Sequence, residues 1–183
     1  MSKIKKNRKF DLNPVSLAAV FISLCALFLS IYQTQLSKQQ AYSSVLPHLR
    51  VYSASEVNDN SFQWSLMVSN DGVGPAIIRS VDYKYNGRLL SNLQEAMDSL
   101  YVGLDAMGAV ELSGASNDLI TTGAFIPAGE RIEWLQTGRN LAFRDLFTER
   151  MKKMQVTIRY ASVYGQHWEV CFNCPDNSLN NKF

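Results

Sequence analysis

Cys171-Phe-Asn-Cys174 is the pair of side chains in this sequence whose type and spacing most directly suggest chemistry. Two cysteines two residues apart form a local disulfide, act as a redox couple, or supply half of a zinc site. A thioredoxin-type couple opens a helix after a central strand. Here the pair follows the last strand-like run, Pro175 comes directly after it, and little chain remains for the rest of such a fold. Zinc needs two further ligands, and the only histidines, His48 and His167, lie far apart in the sequence. A disulfide pinning the C-terminal tail is therefore the preferred reading, with two free thiols as the alternative. The disulfide requires the backbone to turn at Phe172-Asn173, because a straight strand points the two side chains apart.

The other candidates are weaker. Gly72-Val-Gly74-Pro75-Ala76 has the look of a phosphate-binding loop, but strand-like Ile77–Tyr85 follows where a helix is required. It is read as a tight turn in which glycine permits positive φ. No G-x-S-x-G is present, and Ser113 and Ser116 fall into no nucleophile pattern with the histidines. Asp71, Asp82, Asp105 and Glu111 are scattered, and His167 is expected on a solvated strand face beside Glu169. The sequence thus predicts no catalytic residue, no cofactor and no metal, and a protein that is not an enzyme.

The elements that must position these residues begin with an apolar run. Val15–Tyr32 reads VSLAAVFISLCALFLSIY and carries no charge. As a helix it is ~27 Å long, close to the thickness of a bilayer's hydrocarbon. Its serine hydroxyls can bond back to helix carbonyls, Tyr32 sits where an interfacial aromatic belongs, and Asn13-Pro14 suits a helix start. No small-x-small cleavage site follows, so the segment is read as an uncleaved anchor. The net charge is only +2 at pH 7, which disfavours nucleic acid as a partner. Lys3, Lys5, Lys6, Arg8 and Lys9 crowd the first residues, whereas Lys38 and Arg50 are the cations just beyond the apolar run. That asymmetry predicts a cytoplasmic N-terminus, a single-pass inner-membrane location and an exported C-terminal domain. The basic cluster serves as topology determinant and touches anionic lipid.

The organisation expected is a basic tail at 1–14, a transmembrane helix at 15–32, a stalk at 33–47 and an extracytoplasmic domain at 48–183. The stalk should stay helical for a turn or two, and Pro47 should end it. Beyond His48 the apolar residues alternate. Phe62, Trp64, Leu66 and Val68 share one face, as do Val81, Tyr83 and Tyr85, then Ile132 and Trp134, then Val156, Ile158 and Tyr160, then Trp168, Val170 and Phe172. Leu49–Ser53 and Ile120–Phe125 are weaker strand candidates, and Val163–Gln166 reads as a hairpin turn. Ser91–Gln94 resembles a capping box before a helix with Leu93, Met97, Leu100 and Tyr101 on one stripe. Leu141–Lys153 reads as a second helix, with Arg150, Lys152 and Lys153 complementing its dipole. The fold class is mainly β: an antiparallel Ig-like sandwich with one or two inserted helices, preceded by the membrane helix.

The segments VSNDGVGPA at Val68–Ala76, IIRSVDYKYNG, IPAGERIEWL and VTIRYASVYGQHW resemble uncharacterised bacterial single-pass proteins with an exported Ig-like domain. These are turn and strand signatures, so the resemblance implies a fold and no activity. The function expected is a membrane-anchored, non-enzymatic binding or interaction module. Its contact regions would be Val102–Asn117 and the sheet edge near the C-terminus, and its partners the lipid bilayer and another protein. The alternative is a structural subunit of a membrane complex, with Ser16, Ala19 and Ser23 forming a small-residue helix face. A thiol-based enzyme is the third reading.

Overall fold

The computed structural model describes residues 13–59, 61–103, 120–137, 141–142, 144–175 and 181–182. The basic residues Lys3–Lys9, Asp105, Glu111, Ser113, Ser116 and most of the expected contact region Val102–Asn117 lie outside these described residues. The chain divides into two compact units, Met1–Ser43 and Ser44–Phe183.

The described part of the first unit carries one helix, α1, Pro14–Ser43. Proline opens it, and the Asn13 carbonyl accepts from the amides of Ser16 and Leu17 at 2.9 and 3.2 Å. Ser23 and Thr34 donate their hydroxyls to the carbonyls of Ala19 and Ser30, each at 2.8 Å, so these polar groups are satisfied within the helix. No residue of α1 is buried, and it is the described helix long and apolar enough to cross a membrane. The polar stretch expected to leave the helix after a turn or two stays helical to Ser43. Glutamine, lysine and alanine favour that continuation.

The second unit is built of β1 (Leu49–Asn58), β2 (Ser61–Asn70), β3 (Ala76–Tyr85), β4 (Arg88–Leu90), α2 (Leu93–Tyr101), β5 (Phe125–Ile126), β6 (Arg131–Gln136), α3 (Arg144–Met151), β7 (Met154–Ala161), β8 (His167–Phe172) and β9 (Asn181–Lys182). Among the described residues every strand pairing is antiparallel. One sheet has the order β1-β2-β6; the other runs β4-β3-β7-β8-β9, with β5 also on β3. Apolar side chains of both enter one core, in which Trp134, Tyr160, Leu66, Ile78 and Ile158 are fully buried. Each such side chain contributes roughly 1.5–3 kcal/mol by leaving water. Among its described residues the domain is therefore mainly β, as its alternating pattern predicts, with antiparallel sheets and two short helices.

Local chemistry explains the details. In β6 a bulge lets Leu66 pair with Leu135 and Met67 with Glu133, so Trp134 and Leu135 both point inward. Asn86 and Gly87 take φ of 51° and 81°, making the tight turn that joins β3 to β4. The cap of α2 is shifted from the expected position: Asn92, not Ser91, is the N-cap, its Oδ1 accepting from the Glu95 amide at 2.9 Å. Glu95 reaches back to the Ser91 amide at 2.7 Å. That bond, reinforced by Arg88, holds its carboxyl below the usual range. Arg150 does not act only on its own helix. Its Nη1 donates to the carbonyls of Leu100 and Val102 at 2.7 and 2.6 Å, closing the C-terminal end of α2. Ile120–Phe125 contributes only the edge of β5, because Thr121–Gly123 turns: the Gly123 amide donates to Ile78, and Ala124 to Thr121.

Candidate functional site

The glycine motif sits where the chain enters the domain, and its role differs from the one read in the sequence. Neither Gly72 nor Gly74 adopts positive φ. They are glycines because another stretch of backbone lies against them. A Cβ at Gly72 would collide with the main chain of Leu46 and His48, and one at Gly74 with the main chain of Val45. The strap Val45–His48 is laced to this turn: Asp71 donates to the His48 carbonyl at 2.9 Å, and Val73 and Gly74 to the Leu46 carbonyl at 3.0 and 3.2 Å. Asn70, fully buried, completes the lacing. Its Oδ1 accepts from the amides of His48 and Gly72, both at 3.1 Å, and its Nδ2 donates to the carbonyls of Gly74 and Ile126 at 2.8 and 3.0 Å. A carboxamide supplies the two acceptor and two donor positions that this requires. The site is a structural latch in which the main chain of Val45–His48 lies against both glycines.

Cys171 and Cys174 flank the turn that ends β8. Asn173 takes φ of 57°, and its Nδ2 donates to the carbonyls of Met151 and Met154 at 2.8 and 3.2 Å. The turn brings the two Cα atoms to 5.8 Å with the sulfurs in contact. This is the spacing a disulfide needs. Cys171 lies opposite Thr157, whose hydroxyl is 3.3 Å from its sulfur. On the same outward face Arg159 of β7 bridges Asp82 of β3 at 2.6 Å and Glu169 of β8 at 2.9 Å. Partial burial pulls the Arg159 pKa down, but the two carboxylates outweigh it and hold the guanidinium above its usual value. Asp82 is thereby brought to Glu169 through a cation, a pairing that sequence spacing did not reveal. His167 is exposed at the start of β8, as expected, and His48 lies in the strap. Beyond this pairing, the described residues contain no group of three or more His, Cys, Asp or Glu that could hold a metal. The C-terminal edge expected to be open is partly covered, since β9 pairs with Trp168 and Glu169 of β8.

The outer face of the three-stranded sheet carries a trough of about 430 Å³. Ser65 and Met67 of the central strand β2 form its floor, and longer side chains of the flanking strands rise beside them: Tyr52 and Glu56 from β1, Arg131, Glu133 and Gln136 from β6. Glu133 is held in place. Its Oε1 accepts from the Ser65 hydroxyl at 2.5 Å and from Gln136 Nε2 at 3.1 Å. Arg131 makes no ion pair within the described residues. Tyr52 receives the Arg50 guanidinium 5.1 Å from its ring centroid. Sequence reading passed over these residues because each is an ordinary strand position off the core side; only the pairing register gathers them. A second recess of about 420 Å³ lies beside α2, against Tyr83, Leu93 and Met97. No known protein family, curated protein or solved structure matches this chain.

Proposed function

We propose that this protein is a single-pass, membrane-anchored binding module that is not an enzyme. Its N-terminus lies in the cytoplasm, and its β domain works at the extracytoplasmic face. The observation that carries the reading is the trough on the outer face of β1-β2-β6, a concave surface lined by convergent polar groups. The uncovered apolar helix Pro14–Ser43 supports the anchor, and the lysines of the first ten residues support the orientation. The strand orders β1-β2-β6 and β4-β3-β7-β8 support an Ig-like sandwich of the kind found on bacterial exported proteins. A tether in the membrane raises the local concentration of the module for a ligand held at the same surface.

A structural subunit of a membrane complex is the second reading. It is favoured by the small residues Ser16, Ala19, Ser23, Ala26 and Ser30, which recur at spacings of three and four along one face of α1. Replacing α1 with an unrelated apolar helix separates the two. A binding module keeps its function in that chimera, and a complex subunit loses it.

Orientation is tested by membrane-impermeant thiol labelling of intact cells, with Cys25 changed to serine and with or without prior reduction. Labelling of Cys171 and Cys174 in intact cells after reduction is the expected result. Labelling that appears only after the cells are broken, with a cysteine placed in the exposed tip at Asp59 behaving the same way, overturns the exported placement.

A further inference from the structure

We propose that the trough on the outer face of β1-β2-β6 binds an extended neutral oligosaccharide; this rests on the binding-module reading above. The argument begins with what the surface offers. Glu133 presents acceptors only, Arg131 donors only, and the Gln136 amide both kinds. Arg131, which makes no ion pair within the described residues, can donate to two hydroxyls on adjacent carbons at once, and each such hydroxyl can also donate to Glu133 or Gln136. Glu133 is fixed by Ser65 and Gln136 through a single oxygen, leaving Oε2 for a ligand. Tyr52 adds an aromatic ring to the lining, and the short Ser65 side chain keeps the floor low so that a chain can lie along β2.

The same surface disfavours other ligand classes. Glu56 and Glu133 repel a phosphodiester backbone. The β2 main chain is paired on both sides, by β1 and by β6, so a peptide lying along the trough gains no main-chain hydrogen bonds from β2. Apolar contact is limited to Tyr52, Ala54 and Met67, too little for a lipid tail. An open, solvated trough gives modest affinity, with Kd on the order of 0.1 mM.

The test uses the full chain in phospholipid nanodiscs prepared without sugar-based detergents. Saturation-transfer NMR is recorded against neutral tetrasaccharides of glucose and of N-acetylglucosamine, with polygalacturonate and a polyphosphate as anionic controls. A neutral glycolipid incorporated in the disc distinguishes a membrane-borne glycan from a free one. The expected result is binding of a neutral glycan, weakened about tenfold by Glu133→Ala or Gln136→Ala and unchanged by Lys84→Ala on the other sheet. Thermal melting of each variant checks that the fold is intact. The proposal is overturned if no neutral glycan binds, if only the anionic probes bind, or if the trough variants bind as well as the parent chain. A photo-cross-linker at Gln63 in intact cells separates this failure from the broader one. Cross-links to a protein would leave a binding module with a different ligand, and no cross-links at all would remove the trough from the function.

Discussion

The hydroxyl of Tyr160, on β7, accepts a hydrogen bond from the backbone amide of Leu49, on β1, at 3.2 Å, and so joins the two sheets through their shared core. Both residues are fully buried. Burial pushes the Tyr160 pKa up to about 12, although the Leu49 amide, which favours the phenolate, works against that rise.

Tyr160→Phe leaves the Leu49 amide without this acceptor in an apolar setting. A loss of about 1–3 kcal/mol is expected, read as a lower midpoint in urea with an unchanged slope. Burial of the same phenol predicts an alkaline limit. The folded pKa lies above the unfolded value of 10, so the unfolded chain loses its proton first. Stability is intact below pH 10 and declines as pH rises from 10 to about 12. The phenols of Tyr83 and Tyr101 are also raised by burial and act in the same direction. Tyrosinate absorbance should therefore rise in step with unfolding. Smooth ionisation of these phenols in a chain that remains folded would contradict the assignment.

Asn70→Ala removes two acceptor and two donor contacts at one fully buried position. A cost of about 2–4 kcal/mol is expected, with amide exchange accelerating first at His48, Gly72 and Gly74. Gly74→Ala should cost as much or more, because the obstacle is main chain and cannot rotate away. If Gly74→Ala melts with the parent chain, the strap does not lie against the turn.

Cys171→Ser with Cys174→Ser tests the short disulfide. Closing so small a loop restricts the unfolded chain little, and a loss of ~2 kcal/mol is expected, or a fall of about 5 °C in Tm. The parent chain should show the same fall on reduction and the double variant none. Equal melting of parent and variant under oxidising conditions would mean that the two thiols are free.

Arg159→Gln leaves Asp82 and Glu169 without the cation that lies between them. All three side chains are partly exposed, so the cost is about 1 kcal/mol at low ionic strength and shrinks in concentrated salt. Adding Asp82→Asn to that variant should return part of the loss, because one of the two carboxylates is then gone.

Alternation was the legible part of this fold. Phe62–Val68, Val156–Tyr160 and Trp168–Phe172 each place their apolar side chains on the core side, and a period of two allows only one such placement. Ser53–Asn58 was not legible. It carries no alternating apolar signal, and it is a strand because each of its residues pairs with β2. The short strand β4 was missed although Asn86-Gly87, a strong turn signal, precedes it. The glycine turn was placed correctly but given the wrong cause, since close approach by Val45–His48 depends on residues two strands away in sequence. The trough and the Asp82–Arg159–Glu169 bridge depend on register alone, which no local pattern encodes.

The latch at Asn70 also decides where the domain can be cut free. Hydrolysis within Gln33–Ser43 would shed the whole β domain with Val45–His48 still in its seat. A cut between Val45 and His48 would instead strip Asn70 and the glycine turn of the main chain that fills them. A protease that releases this domain intact must therefore act on the exposed helix, and the liberated N-terminus would lie at or before Ser44.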